Sequence, residues 1–137
     1  MAYWLVKSEP FKYSWDRLVE DKRTHWDGVR NHQAANNLKA MAKGDQVFFY
    51  HSNEGLEIVG IAEVVKMYYP DPSDSKGKFG MVDIKPVKPL ETPVTLKQIR
   101  EDDRLNHLGL VKQSRLSVMP IDVDAWKRIC KLGGVGA

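Results

Sequence analysis

Aromatic, amide and hydroxyl side chains stand at the ends of predicted elements, where they are available to recognise a ligand. Trp26 precedes Gly28 in a turn outside any periodic segment, and Asn31 follows in the same turn. Composition alone favours a core position for Trp26, with the wall of a pocket as the alternative. An aromatic face for stacking, beside groups that read an edge, is what recognition of a nucleobase requires. The pattern permits base recognition here without demanding it.

Basic and hydroxyl side chains stand at other element ends. Ser8 follows the first strand, and the basic residues are Lys7, Arg30 and Arg115. Each of these residues has two possible roles. It is either a helix cap or a solvated charge, or it belongs to a polar rim around an aromatic pocket. The helix that follows Asn31 would add backbone donors from its N-terminus.

Signatures of common enzyme classes are missing from the sequence. No GxxxxGK[ST], GxGxxG, HExxH or GxSxG motif occurs. No cysteine or second histidine stands at metal-ligand spacing from any of the four histidines, so we expect no metal and no cofactor. A hydrolase that uses His51 or Asp71 stays open as an alternative, although Ser52 would point away from His51 along a strand. A protein-interaction domain is the third hypothesis.

Length and charge fit one globular domain over residues 1–137. The formal net charge is +3, and residues 71–137, with twelve basic and nine acidic side chains, carry all of it. This mild excess permits a nucleic-acid partner. Cys130 is the single cysteine and lies on the apolar face of a predicted helix, so no internal disulfide can form. With no membrane segment or signal peptide recognised, we expect a cytoplasmic protein.

Hydrophobic periodicity predicts a mixed α+β domain around a curved sheet or partial barrel. Strand patterns run over Tyr3–Lys7, Gln46–Tyr50, Leu56–Val65, Phe79–Pro86 and Arg115–Pro120. Helices are predicted after the caps Ser14, Asn31, Thr95 and Asp122 or Asp124. Gly44 is predicted to cap the second helix, Tyr68–Pro72 to break the chain, and residues 102–110 to be irregular. Trp4, Trp15 and Trp126 are predicted core residues.

Several of these segments together resemble the EVE domain family. The matching segments, in the family's order, are Tyr3–Pro10, Trp26–Ala34, Gly44–Asp45, Phe48–Ser52, Val59–Ala62, Tyr69–Asp71 and Gln113–Val118. The resemblance covers residues 3–129, nearly the whole chain, and extends to bacterial members of the family. It implies a PUA-like fold, a strongly bent mixed sheet or pseudo-barrel flanked by short helices, and similarity to YTH domains.

The resemblance also implies a function. Family members are thought to hold modified bases, notably modified cytosines in DNA, and some act on RNA. Carried over by position, the base pocket would comprise Ser8, Trp26, Asn31, Tyr50, His51, Ser52, Tyr69, Pro70, Asp71, Arg115, Leu116 and Ser117. Phosphate contacts would come from Lys7, Arg30 and Arg115. We therefore expect a non-catalytic, monomeric reader of a modified base in DNA or RNA, with a nuclease or modification enzyme as a further partner.

Position 79 departs from the pattern that the resemblance sets. Family members often carry tryptophan near the start of that strand, whereas this chain has Phe79. If that position contributes to a wall of the ligand pocket, the base preference of relatives does not carry over to this chain.

Overall fold

The computed structural model describes residues 1–136 and contains one six-stranded sheet with short helices around it. The strands are β1 (Tyr3–Ser8), β2 (Thr24–His25), β3 (Gln46–His51), β4 (Glu57–Pro70), β5 (Gly80–Thr95) and β6 (Val118–Ile121). The helices are α1 (Trp15–Asp21), α2 (His32–Ala40), α3 (Leu96–Glu101), α4 (Gly109–Lys112) and α5 (Val123–Leu132).

Side-chain caps begin four of the five helices, as the sequence predicts. The Ser14 hydroxyl accepts a hydrogen bond from the Arg17 amide at 3.1 Å, and the Asn31 side chain accepts one from Ala34 at 2.9 Å. Thr95 begins α3 and Asp122 begins α5 in the same way. Each cap satisfies an amide that the first turn leaves without a partner, so the predicted helix starts are confirmed.

The second helix ends earlier than predicted, and Gly44 does not cap it. Helix α2 stops at Ala40, and Met41 is already extended, with φ −69° and ψ 137°. Gly44 has φ +94°, but its amide donates to the carbonyl of Val64, on β4. The glycine therefore joins the helix–strand connection to the sheet instead of closing the helix.

Two strands are longer than their predicted ranges. Strand β4 continues through Tyr68 and Tyr69 to Pro70, where the sequence predicts a break, and β5 runs to Thr95 instead of ending at Pro86. Strand β2 pairs with β5 only at Asp83 and Ile84. Beyond that point β5 pairs, within the described chain, with β4 alone and is therefore an edge strand. An edge strand tolerates prolines because the amides that they lack would face no second neighbouring strand.

Short elements were also misplaced or missed. Strand β2 and helix α4 lie in segments predicted to be a loop or irregular, and the last strand begins at Val118 rather than Arg115. A two-residue strand and a four-residue helix contain too little periodicity to be visible in sequence.

The sheet has the order β2-β5-β4-β3-β1-β6. All neighbouring strands are antiparallel except β1 and β3, which are parallel. The β4–β5 register shifts at four places, and such irregularities increase local bending and twist. Within residues 1–136, β2 and β6 are the edge strands, so the sheet is open and does not close into a barrel. The predicted α+β class with a mixed sheet is confirmed.

The core lies between the sheet and the helices. Trp4, Trp15 and Trp126 are buried, as predicted, and Cys130 is fully buried, which raises the pKa of its thiol. The ring of Trp15 packs against Gly60 so closely that a Cβ there would lie 2.6 Å from it. A glycine at this position on β4 is therefore required by the close approach of α1.

Candidate nucleic-acid interface

The parallel pairing of β1 and β3 assembles one side of a cleft. Because parallel strands end at the same edge of a sheet, Lys7 lies opposite Tyr50 and Ser8 opposite His51. The Ser52 amide donates to the Ser8 carbonyl at 2.9 Å, which ties the turn after β3 to the end of β1. Hydroxyl, aromatic and cationic groups from distant parts of the sequence therefore meet here.

The loop between β2 and α2 forms the facing wall, and Asp71 holds it. One carboxylate oxygen accepts hydrogen bonds from the Gly28 amide at 2.8 Å and from Arg30 Nη1 at 3.2 Å. The other accepts from the Ser73 amide at 2.8 Å and from its hydroxyl at 2.6 Å. Gly28 has φ +76°, a conformation that favours glycine, as the sequence predicts. The bonds of Asp71 to Gly28 and Arg30 thus fix the conformation of the loop that carries Trp26.

These bonds also determine the protonation of Asp71. Burial acts to raise its pKa, but the hydrogen bonds from Ser73, Gly28 and Arg30 outweigh burial and lower the pKa to about 2. The group is therefore a carboxylate at neutral pH, and its negative charge is neutralised within the loop.

A second buried carboxylate, Asp83, supports the neighbouring segment. It accepts hydrogen bonds from Arg23 Nη2 at 2.8 Å, from the Tyr69 hydroxyl and from His25 Nδ1, which lies at 2.8 Å. Burial and then the bond to Asp83 raise the pKa of Tyr69 to about 12. With Nδ1 directed at Asp83, the other ring nitrogen of His25 is the one available to a ligand.

The resulting cleft has a volume of about 980 Å³. Nine of the sequence-predicted residues line it, namely Lys7, Ser8, Trp26, Arg30, Asn31, Tyr50, Ser52, Arg115 and Ser117. Trp26 is 8% exposed and makes an edge contact with Phe49 at 5.6 Å between ring centroids. The indole is therefore a core residue, as composition favours, that also lines the cleft.

Five other predicted residues lie outside the cleft lining. His51 Nε2 accepts a hydrogen bond from the Trp15 amide at 3.1 Å, and Leu116 is buried in the core. Tyr69 and Asp71 form the supporting contacts described above, and Pro70, between them, is exposed. Burial lowers the pKa of His51, and a neutral ring that accepts at Nε2 carries its proton on Nδ1.

Positive charge predominates around the cleft. Five of its lining residues are lysine or arginine, and two, Glu9 and Asp27, are acidic. Lys7 Nζ donates to the Ser114 carbonyl at 2.9 Å, and burial lowers the pKa of this lysine. Burial raises the pKa of Tyr50, so its hydroxyl remains protonated at neutral pH. The cleft thus combines neutral hydrogen-bonding groups with a cationic border suited to an anionic polymer.

Sequence reasoning missed several residues of the lining. Tyr13, His25, Asn53, Leu56, Leu96, Arg100 and Leu110 all line the cleft without any motif that marks them. Arg100 arrives on α3, whose start was predicted from its Thr95 cap, but nothing in that pattern relates α3 to the Trp26 loop.

Neither a cluster of metal-ligand side chains nor a long apolar helix occurs in the described residues. No group of three or more histidine, cysteine, aspartate or glutamate side chains in residues 1–136 could hold a metal ion. None of the helices in that range is both long and apolar enough to cross a membrane.

Known proteins resemble this chain throughout its length. Mouse thymocyte nuclear protein 1 is 34% identical, over 95% of this chain and 73% of its own length. The solved structure of Rpa0253 from Rhodopseudomonas palustris is 54% identical, with a TM-score of 0.93 over 98% of this chain and 94% of that protein. Human THYN1, solved in complex with DNA that contains 5-methylcytosine, is 30% identical, with a TM-score of 0.91 over all of both chains.

A more distant structure shares the fold alone. The YTH domain of the MRB1 protein from Zygosaccharomyces rouxii, solved with N6-methyladenosine RNA, is 16% identical, with a TM-score of 0.59 over 99% of this chain and 86% of that domain. The expected structural similarity to YTH domains is thereby confirmed. The model of the EVE domain matches residues 2–132, and this chain therefore belongs to the EVE domain family.

Proposed function

We propose that the cleft binds a modified base of nucleic acid, with 5-methylcytosine in DNA as its ligand, and that the protein is a non-catalytic reader. The observation that carries this proposal is the meeting of Trp26, Tyr50 and polar side chains in one cation-bordered cleft. A family member of the same fold, human THYN1, was solved with DNA that contains 5-methylcytosine.

The hydrogen-bonding state of the polar groups suits the edge of a cytosine. The Asn31 oxygen already accepts from the Ala34 amide, so the side chain has its N–H donors left for a ligand. The Ser8 hydroxyl donates to the Tyr13 carbonyl at 2.5 Å, so its oxygen is left to accept. Cytosine presents acceptors and an amino donor on one edge, and these would match Asn31 and Ser8 respectively.

The aromatic and cationic groups would supply the affinity. Stacking of one base on an aromatic side chain contributes about 1–3 kcal/mol, and Trp26 is the residue we assign to it. Arg30, Arg115 and Lys7 would contact phosphates beside the base, together with Arg100. Binding should therefore weaken as salt rises, while discrimination between modified and plain base should persist.

The hydrogen bonds of two residues support a role without catalysis. The hydrolase alternative depends on His51 or Asp71, yet His51 Nε2 faces the Trp15 amide and Asp71 is surrounded by four donors beneath the loop. Neither residue lines the cleft. A cytoplasmic location, a monomeric state and a nuclease or modification enzyme as partner stay predictions from the sequence.

The test is fluorescence anisotropy with labelled DNA that carries either cytosine or 5-methylcytosine at one position, at two salt concentrations. We expect the modified strand to bind more tightly, and we expect Trp26→Ala to reduce its affinity by about tenfold or more while binding to plain DNA changes little. Trp26→Phe is the matched control that keeps an aromatic face, and circular dichroism verifies folding.

Three outcomes would count against the proposal. Equal affinity for modified and plain DNA would contradict recognition of the modified base. A folded Trp26→Ala variant that discriminates as well as the parent would show that Trp26 does not stack on the base. Tighter binding to an RNA of the same sequence with 5-methylcytosine would show that the ligand is RNA rather than DNA.

A further inference from the structure

The turn between β3 and β4 holds a leucine in an unfavourable conformation. Leu56 has φ +47°, and Asn53 and Gly55 in the same turn also have positive φ, at +66° and +86°. A bulky residue other than glycine rarely adopts this region, because its Cβ approaches the backbone too closely. The Leu56 side chain lines the cleft and remains 43% exposed.

Hydrogen bonds at both ends of the turn impose this conformation. The Ser52 amide donates to the Ser8 carbonyl at 2.9 Å, and the Leu56 carbonyl accepts from the Leu96 amide at 2.9 Å. Glu57, the next residue, is already in register with Thr95 on β5. The strain is therefore maintained by the fold, yet burial of the side chain does not compensate for it.

Strain combined with exposure distinguishes Leu56 from the other apolar residues on the surface. Phe11 is more exposed, at 64%, but does not line the cleft. Leu56 lines the same cleft as Trp26, Tyr50 and Arg100. An uncommon backbone conformation that aims an apolar side chain at a ligand site indicates a function for that side chain.

We infer that Leu56 is an apolar wedge that enters the base stack of duplex DNA when the modified base turns out into the cleft. Extruding a base breaks its stacking and leaves a gap in the duplex, and apolar side chains can fill or open such a gap. The wedge must adjoin the pocket that receives the base, as Leu56 does. This inference rests on the proposed function and adds to it that the substrate is double-stranded.

The experiment compares duplex and single-stranded DNA of one sequence, each with a single 5-methylcytosine. Leu56→Ala and Leu56→Gly should weaken binding to the duplex by about tenfold, because the cost of unstacking is no longer offset. Binding to the single strand should change by less than about twofold, since no stack has to be opened there. Leu56→Met should retain duplex binding, and Val87→Ala, at a residue of similar exposure outside the cleft, is the matched control.

A stability measurement separates the wedge from a structural role. Glycine accepts positive φ without steric conflict, so Leu56→Gly should unfold at a temperature no lower than Leu56→Ala. Equal losses on duplex and single strand, or no loss on the duplex, would overturn the inference. A parent protein that recognises the modified base only in single strands would also overturn it while leaving the proposed function intact, and a parent that prefers the modified base in neither form would refute both.

Discussion

Trp126 and Trp26 occupy two regions of the molecule that differ in how each indole is held. Trp126 is fully buried between Phe48, at 3.8 Å between ring centroids, and Tyr3, at 4.5 Å. Its indole N–H has no hydrogen-bond partner among the described residues. Apolar packing alone holds this ring, even though an unpaired buried donor is destabilising.

Trp26 is also buried, at 8% exposed, but polar contacts in addition hold its backbone and its loop. Its amide donates to the Val82 carbonyl at 2.7 Å, and two residues further on Asp71 accepts from Gly28. The side chain packs in the core, with an edge contact to Phe49, and also lines the cleft. The two regions therefore differ less in burial than in position, because Trp26 lines the cleft and Trp126 does not.

The largest expected effect is on stability, from replacing Trp126 in the packed core. Trp126→Ala should lower the free energy of unfolding by about 3–5 kcal/mol, because a large aromatic group is lost from a dense core. Urea denaturation followed by circular dichroism measures this loss. At a temperature where the variant is still folded, its affinity for modified DNA should equal that of the parent.

Trp126→Phe is the matched control, because it retains a ring between Phe48 and Tyr3 and removes the unpaired N–H. It should cost less stability than the alanine variant. A folded Trp126→Ala variant with strongly reduced binding would show instead that the two regions are coupled.

The next largest effect is on the stability that Asp71 contributes through its bonds to the loop that carries Trp26. The pKa of Asp71 is about 2 when folded, against an ordinary value of 3.8, so ionised Asp71 stabilises the folded state above pH 4. This stabilisation, about 2 kcal/mol, should disappear as the pH falls from 4 to 2, whereas Asp71→Asn should lack it at every pH. Urea denaturation of parent and variant across this range measures the difference, and binding by the variant at pH 7 should be weaker.

Asp74→Asn provides the control for this experiment. Asp74 accepts hydrogen bonds from Lys76, Lys78 and Phe79 and lies outside the cleft lining. Its replacement should leave DNA binding unchanged. If Asp71→Asn binds modified DNA as tightly as the parent, the network stabilises the fold without positioning Trp26.

Local signals in the sequence account for the elements that were predicted well. Asn31 and Thr95 act as caps through bonds to residues three positions away, so the information lies within one turn of helix. The strand at Gln46–His51 was visible from its apolar run. The lengths of β4 and β5 were not visible, because prolines suggest a break unless the edge position of β5 is known.

The site was predicted only as far as the family resemblance and local signals extend. Trp26 and Asn31 were found on one loop, but Leu56 and Arg100 reach the same cleft only through the pairing of β4 with β5 and the position of α3. Conversely, Asp71 and His51 lie in matching motifs yet turn to the backbone of Gly28 and Trp15. Which way a side chain turns depends on tertiary contacts that no sequence spacing records.

The smallest expected effect is at Phe79, where the family resemblance leads us to expect tryptophan. Phe79 lies outside the cleft lining and packs against His32, at 5.1 Å between ring centroids, with the Arg30 guanidinium 5.7 Å from its ring centre. Phe79→Trp should preserve both contacts, since a larger aromatic face also attracts a cation, and should change the affinity for 5-methylcytosine DNA by less than about twofold. Anisotropy titrations with a panel of modified cytosines measure this. A reversal of base preference in the variant would place residue 79 in the ligand wall and extend the site beyond the cleft that Trp26 lines.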